Sequence, residues 1–292
     1  MEKVHVDFRD QITSNKRKSF FLIICVFVVL VAFGYIISLA FTQADFFFIM
    51  TITIIISVSY TLLSYYNSDK IAIASVGARE ASRTEYRDLY NLIEGLTLAS
   101  GLPMPKVYIM KSEQINAFAS GRDPQHAVVC VTEGAVNKLE RRELEGVLAH
   151  ELGHVGNYDI RYMTLVAVMV GMIAIASEIF LRSLWFKNND RDNKGGAILI
   201  VIGVVLAILA PIVVQLVQLS ISRKREYSAD ATAVLFTRYP KGLIGALKKI
   251  EGESSNMKVS KAVAPLFFAS PMKNMLSTHP PIEKRIKTLE AM

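Results

Sequence analysis

Four long apolar stretches interrupt an otherwise polar chain: residues 20–41, 46–66, 162–186 and 195–222. Each is long enough to cross the hydrocarbon layer of a bilayer as a helix. Only the third contains charged side chains, Glu178 and Arg182, and their spacing lets them pair on one helix face. A cleaved signal peptide would have a shorter apolar stretch than the first one. The pattern therefore predicts an integral membrane protein, mainly α-helical, with four transmembrane helices.

Positive charge next to these stretches indicates their orientation. Lys16–Lys18 precedes the first predicted helix, and Arg223–Arg225 follows the fourth. After four crossings both clusters lie on the same side of the membrane, which the positive-inside rule assigns to the cytoplasm. The sequence thus predicts two membrane hairpins, each followed by a cytoplasmic part, and an external turn at residues 187–196. The four parts are residues 1–66, 67–161, 162–222 and 223–292.

The first cytoplasmic part has a mixed α/β pattern. Helical periodicity and short apolar runs predict two helices and two strands: Arg83–Ser100, Val107–Met110, Ala127–Thr132 and Leu139–Gly156. A turn is predicted at Ser120–Pro124, between the two strands. Gly153 is a poor helix former inside the last helix, which predicts that another element packs closely there.

Composition and charge narrow the possible partners. Hydrophobic residues make up 52% of the 292 residues and charged residues 20%, and the mean hydropathy is +0.34, as in membrane proteins. The net charge is +7. Because the basic residues cluster beside apolar stretches, we expect the lipid bilayer as a partner and not nucleic acid. Cys25 and Cys130 have no metal-ligand spacing and imply no disulfide framework.

The last predicted helix of this part contains an H-E-x-x-H motif, formed by His150, Glu151 and His154. Residues four apart lie on one face of a helix, so both imidazoles can bind the same metal ion. The glutamate between them lies beside that ion, where it can take a proton from a water molecule. The motif predicts a catalytic zinc site.

A catalytic zinc site needs a third protein ligand. One class of H-E-x-x-H enzymes has a histidine six residues after the motif, but that position is Ile160 here. A glutamate from a later helix is the alternative. Glu226 is the best candidate, because the second hairpin returns the chain to the cytoplasmic side just before it. Asp230 lies on the same helical face and could accept a hydrogen bond from a zinc-binding histidine.

These features resemble those of the HtpX-type membrane metalloproteases, a branch of the superfamily that contains the CAAX prenyl endopeptidases. The resemblance covers nearly the whole chain and extends to two further motifs. These are Asn116-Ala117-Phe118-Ala119, which is similar to the family's substrate-strand motif, and Ser277-Thr278-His279-Pro280-Pro281 followed by Arg285.

The resemblance implies a cytoplasmic α/β catalytic domain of the thermolysin-like (gluzincin) type. It implies one zinc ion per chain, held by His150, His154 and Glu226, with Glu151 as catalytic base. It also implies that His279 donates a hydrogen bond to the oxyanion that forms during peptide hydrolysis.

The same resemblance gives expectations about the substrates, the cellular location and the biological role of the protein. Protein or peptide substrates would bind as extended strands near Asn116, Ala117 and Phe118, or along the edge of the Ala127–Thr132 strand. They are expected to be membrane or misfolded proteins, cleaved at the cytoplasmic face of the plasma membrane during quality control and stress response. Arg285 could pair with either Asp230 or Glu226, and the sequence leaves this choice open.

Two other functions remain possible at this point. One is a narrow-specificity processing protease, of the prenyl-protein or signal-peptide type. The other is a non-enzymatic membrane scaffold or transporter stabilised by structural zinc. A structural site commonly has four protein ligands and has no need of Glu151, so the motif favours an enzyme.

Overall fold

The structure is a computed structural model that describes residues 8–38, 43–167, 203, 223–253, 259, 266–269 and 280–292. Its helices are α1 (Phe8–Ser38), α2 (Gln43–Tyr66), α3 (Ser68–Ser75), α4 (Arg87–Ser100), α5 (Glu133–Lys138), α6 (Arg141–Gly156), α7 (Arg223–Thr237), α8 (Pro240–Gly252) and α9 (Ile282–Leu289). The strands are β1 (Arg79–Glu80), β2 (Lys106–Met110), β3 (Ala117–Gly121) and β4 (Ala127–Thr132). Residues 159–167 are also helical.

The two N-terminal helices, α1 and α2, pack against each other. Within the described ranges one helical segment, Phe46–Tyr66, has the length and apolar composition to cross a membrane. The helix predicted at 20–41 falls within α1 as far as residue 38. It begins earlier than predicted, because α1 continues through polar residues such as Asn15, whose side chain is buried. Apart from residues 162–167 and 203, the predicted helices 162–186 and 195–222 lie outside the described residues.

A four-stranded sheet underlies the site, in the order β1-β2-β4-β3. The central pair, β2 and β4, is parallel, whereas β1 and β3 run antiparallel to their neighbours. The central strands are the two that the sequence predicts. Because β2 and β3 cover both edges of β4, the alternative that a substrate binds along the edge of Ala127–Thr132 was wrong. The turn prediction at Ser120–Pro124 was wrong for its first two residues. Ser120 and Gly121 are buried and belong to β3, where they pair with Val128 and Ala127 of β4.

Helices α4 and α6 cover the hydrophobic core next to the sheet. The apolar face of α4 is buried, as its periodicity predicts, through Leu89, Leu92, Ile93 and Leu96. Residues 83–86, predicted to be helical, form a turn before α4. At the start of α6, Glu143 accepts a hydrogen bond from the backbone N–H of Glu140 at 2.8 Å and so caps the helix.

Two glycines of α6 allow α7 and α8 to approach it closely. A Cβ atom at Gly153 would lie 3.2 Å from Cβ of Thr232 in α7, and one at Gly146 would lie 2.6 Å from the backbone N of Leu243 in α8. The close packing predicted at Gly153 is therefore confirmed. It brings α7, which is distant in sequence, against the helix that carries the H-E-x-x-H motif.

Candidate active site

Helix α6 places His150, Glu151 and His154 in the interior of the protein. All three residues are at most 5% exposed. The two histidines are one turn apart, and their Nε2 atoms are separated by 3.2 Å. The helix thus presents two imidazole nitrogens to a single point, as the spacing of the motif predicts.

The side chain of Glu226 reaches the same point from α7. One carboxylate oxygen lies 3.7 Å from Nε2 of His150, and the other lies 3.5 Å from Nε2 of His154. The structure therefore brings Glu226 to the position that the topological argument expects. Its donor atom and those of the two histidines lie within 4.8 Å of one another.

These three residues fit a zinc ion. Ligands at about 2.0–2.1 Å from a tetrahedral metal are about 3.4 Å from one another. The two Nε2 atoms are 3.2 Å apart, and each has an oxygen of Glu226 at 3.5 or 3.7 Å. Two imidazoles and one carboxylate also form a donor set found in catalytic zinc sites, where a fourth position is left for water or substrate. The group could therefore hold one metal ion and leave one of its coordination positions free.

Asp230 and Arg285 support the first histidine. Oδ1 of Asp230 lies 2.9 Å from Nδ1 of His150, which directs Nε2 of the ring towards Glu226. Arg285 donates two hydrogen bonds to Asp230, at 2.9 and 2.6 Å, and its Nη1 lies 3.8 Å from Glu226. Of the two partners that the sequence left open, Asp230 is therefore the one that Arg285 binds in a bidentate manner.

Glu151 has the properties of a general base. Burial raises its pKa to about 7, and the charge of Glu226 adds to this, although His154 acts in the opposite direction. The backbone of Ala119 also acts in the opposite direction and lowers the pKa of the carboxyl. Its Oε1 atom is buried and has no hydrogen-bond partner among the described residues. A carboxylate with a pKa near neutrality and an available acceptor atom is suited to taking a proton from water.

The two histidines differ in protonation in the metal-free protein. Burial lowers the pKa of His150 to about 4, so this imidazole is neutral at pH 7. Burial acts in the same direction on His154, but the hydrogen bond to Asp159 and the charge of Glu226 outweigh it and raise the pKa to about 9. A metal ion that binds Nε2 of His154 must therefore displace a proton.

The sequence profile of peptidase family M48 matches residues 83–292, a range that includes α6, Glu226 and Arg285. The chain belongs to this family. It is therefore a metalloprotease, and the interpretation as a non-enzymatic scaffold is wrong.

Several relatives of this M48 peptidase cover almost its full length. It is 43% identical to a protease HtpX homolog of Thermoanaerobacter pseudethanolicus over 95% of both chains. It is 42% identical to one of Dictyoglomus thermophilum, over 98% of this chain and 95% of the relative. The resemblance to HtpX-type proteases is thus confirmed, and a membrane location is consistent with these relatives. The fold is similar to that of the crystal structure of S. mikatae Ste24p, with a TM-score of 0.50 and 19% sequence identity. The match covers 96% of this chain and 67% of Ste24p.

Sequence reasoning missed one residue of the site, Asp159. Its Oδ2 atom lies 3.0 Å from Nδ1 of His154, so it supports the second histidine as Asp230 supports the first. The chain reaches this position because Tyr158, with φ of 58°, adopts a left-handed conformation just after α6. The only signal in the sequence is a carboxylate five residues after the motif.

The remaining predicted site residues divide into two groups. Asn116, Ala117 and Phe118 are buried at the start of β3, the strand at the edge of the sheet on which α6 packs. His279 lies outside the described residues. Pro280 and Pro281 follow it directly, and α9 then carries Arg285 into the site.

Proposed function

We propose that this metalloprotease is a zinc-dependent endopeptidase that cleaves membrane or misfolded proteins at the cytoplasmic surface of the membrane, as part of quality control and stress response. The observation that carries the proposal is the convergence of His150, His154 and Glu226 beside the buried carboxylate of Glu151. These residues supply three zinc ligands and a base, which is the minimum for hydrolysis of a peptide bond by a zinc enzyme.

The proposed chemistry assigns each residue one task. When bound, zinc supplies Lewis acidity towards a water molecule and a peptide carbonyl. Glu151 takes the proton of the water through its carboxylate and then delivers it to the departing amine. His279 donates a hydrogen bond to the oxyanion. Its assignment is supported by the short connection to Arg285, which is six residues further on and fully buried at the site.

The membrane part of the proposal combines sequence and structure. We assign residues 1–66 and 162–222 to two membrane hairpins, and residues 67–161 and 223–292 to the cytoplasm. Large apolar side chains along α2 are exposed in the protein alone, as is expected for contact with lipid, and the most exposed include Phe47 at 77% and Phe48 at 68%.

The enzymatic part is tested with protein purified in detergent. The wild type is expected to contain one zinc ion per chain and to digest casein. Glu151→Gln should retain the zinc but slow digestion by at least about 100-fold, since it removes the general base and no ligand. Glu145→Gln, on the same helix, is the matched control and should digest casein at the wild-type rate. Digestion by Glu151→Gln at the wild-type rate would disprove the assignment of the base.

The orientation is tested separately in intact cells. Single cysteines are introduced at Asn189 and Ser255 and treated with a membrane-impermeant thiol reagent. The proposal requires labelling at Asn189 and protection at Ser255, and the opposite pattern would invert the topology.

A narrow-specificity processing protease is distinguished by its substrates. A broad quality-control enzyme should cleave several unfolded proteins at unrelated sites, because binding through the peptide backbone tolerates many side chains. Cleavage restricted to prenylated or signal-peptide substrates would replace the first proposal by the second.

A further inference from the structure

A short segment of the chain itself, Leu266–Ala269, lies along the outer edge of β3. Phe267 is paired with Phe118 in antiparallel orientation, and their rings are 5.0 Å apart. The backbone N–H of Phe268 donates a hydrogen bond to the carbonyl of Ala117 at 2.8 Å. The segment therefore extends the sheet beyond β3, on the side away from β4.

The side chain of Asn116 holds the same segment through its backbone. Its Nδ2 donates to the carbonyl of Ala269 at 2.9 Å, and its Oδ1 accepts from the N–H of Ala269 at 3.1 Å. The buried side-chain amide of Asn116 thus binds both the backbone N–H and the backbone carbonyl of Ala269. Such contacts recognise an extended backbone without regard to its side chains.

The segment also contacts the candidate metal site. The ring of Phe268 lies 4.9 Å from the ring of His150 and 4.8 Å from the guanidinium of Arg285. Strand β3 itself packs against α6, the helix that carries His150 and Glu151. Leu266–Ala269 therefore occupies the outer edge of β3 and contacts the first histidine of the candidate site. A substrate strand that pairs with this edge would have to take the place of the segment.

We propose that Leu266–Ala269 is an internal substrate mimic, which occupies the peptide-binding edge of β3 and has to leave it before a protein substrate can bind. This inference rests on the proposed function and adds a regulation of the same site. An attached segment competes at a high effective concentration, so only chains that bind the edge well displace it. The contact would thereby restrain digestion of well-folded proteins and of the enzyme itself.

The first experiment locks the segment in place. Phe118→Cys and Phe267→Cys are combined, because opposed residues of antiparallel strands are about 4.5–5.5 Å apart at Cα and can form a disulfide. Cys25→Ser and Cys130→Ala are added, since Cys130 is the other cross-strand partner of Phe118. The same protein without the introduced pair is the oxidation control.

Oxidation of the locked variant should reduce cleavage of an unstructured casein peptide at least about tenfold, with unchanged zinc content. Reduction should restore it, and the control should respond to neither treatment. Equal activity of the oxidised and reduced forms would overturn the proposal, because the segment would then be a fixed wall of the site.

The second experiment requires no activity. Leu266→Cys is introduced into the cysteine-free Glu151→Gln variant, since Leu266 is only 3% exposed. Its thiol should react with a maleimide at least about tenfold more slowly than in the urea-unfolded chain, and excess casein peptide should remove most of this protection. A thiol that reacts rapidly without peptide, or remains protected in its presence, would overturn the proposal. If zinc-loaded wild type fails to cleave casein, the proposed function fails, whereas this labelling result still decides whether the segment leaves.

Discussion

Asn15 of α1 donates its side-chain amide to Oδ1 of Asp159 at 2.7 Å, while Oδ2 of Asp159 accepts from Nδ1 of His154 at 3.0 Å. The same amide donates to the backbone carbonyl of Asn157 at 3.0 Å. All these groups are buried. One carboxylate therefore connects the N-terminal half of the first long helix to a histidine of the candidate metal site, so the position of α1 bears on the geometry of that site.

Removal of the Asn15 amide is expected to weaken zinc binding. In Asn15→Ala, Asp159 loses one of the donors that orient it, and His154 is held less firmly. We expect a decrease in zinc affinity of up to about tenfold, the lower end of the effect of residues that support metal ligands. The measurement is competition with a chelator of known affinity.

A matched control is available one turn further along α1. Ser19 is equally buried, but its hydroxyl has no hydrogen-bond partner among the described residues. Ser19→Ala should therefore leave the zinc affinity unchanged. Equal affinities of the Asn15→Ala and Ser19→Ala proteins would show that α1 does not act on the site through Asp159.

The ion pair between Arg285 and Asp230 is expected to be strongly coupled. Arg285→Met leaves a buried carboxylate without its charged partner, which should lower the free energy of unfolding of the metal-free protein by about 3–5 kcal/mol. Asp230→Asn combined with Arg285→Met should recover a large part of this loss, since neither charge remains. Thermal unfolding of wild type, both single variants and the double variant measures the coupling. Additive single effects would contradict a direct interaction.

The raised pKa of Glu151 predicts a pH dependence of stability in the metal-free protein. Its pKa is about 7 in the folded protein and 4.5 as the ordinary value. Between pH 4.5 and pH 7 the folded state therefore binds more protons than the unfolded state, so the free energy of unfolding falls as the pH rises. The stabilising contribution of Glu151 is fully present below pH 4.5 and is lost as the pH rises through 7. The shift corresponds to about 3 kcal/mol.

Glu151→Gln is the comparison that isolates this contribution, because glutamine does not titrate. The unfolding temperatures of both proteins are measured with EDTA at pH 4.5 and pH 7.5. Relative to Glu151→Gln, the wild type should be less stable at pH 7.5 than at pH 4.5. A difference between the two proteins that is the same at both pH values would contradict the raised pKa.

Much of the fold could be predicted because it depends on local patterns. The apolar stretch at 46–66 predicted α2, the periodic leucines predicted α4, and the apolar runs predicted the central strands β2 and β4. Strand β3 gave no such signal. Its last residues, Ser120 and Gly121, are typical of turns, and they become extended only because pairing with β4 and burial outweigh local preference.

The candidate site divides in the same way. His150, Glu151 and His154 belong to one helix, so their convergence follows from helix geometry alone. Glu226 could be predicted only with a topological argument that returned α7 to α6. Asp159 could not be predicted, because its position depends on the left-handed conformation of Tyr158, which the sequence does not disclose.

Glu226→Ala is expected to abolish stable zinc binding, because two histidines bind zinc far more weakly than three protein ligands. The purified variant should contain little zinc and show no proteolysis. Ser228→Ala is the control on the same helix, since this hydroxyl is buried and has no hydrogen-bond partner among the described residues. An unchanged zinc content in Glu226→Ala would mean that another residue is the third ligand.

The close contact at Gly153 provides a test of how α7 is positioned. In Gly153→Ala the added methyl group would lie 3.2 Å from Cβ of Thr232 and 3.3 Å from Cα of Ala229, closer than ordinary van der Waals contact. Because the neighbours are the body of α7 and not the end of a flexible side chain, the helix has to shift by a few tenths of an ångström. Glu226 lies one turn before Ala229 on α7 and should move with the helix. We expect zinc affinity to fall several-fold.

Gly156→Ala separates this steric effect from the general preference of helices for alanine, which is about 1 kcal/mol in a helix interior. At Gly156 the nearest atom to the added methyl group is a side-chain carbon of Leu102 at 3.6 Å, an ordinary contact. This variant should unfold at a slightly higher temperature than the wild type and bind zinc equally well. If Gly153→Ala behaves in the same way as Gly156→Ala, the packing of α7 on Gly153 does not position Glu226. A loss of zinc affinity in Gly153→Ala but not in Gly156→Ala would show that the close packing of α7 on Gly153 positions Glu226 for metal binding.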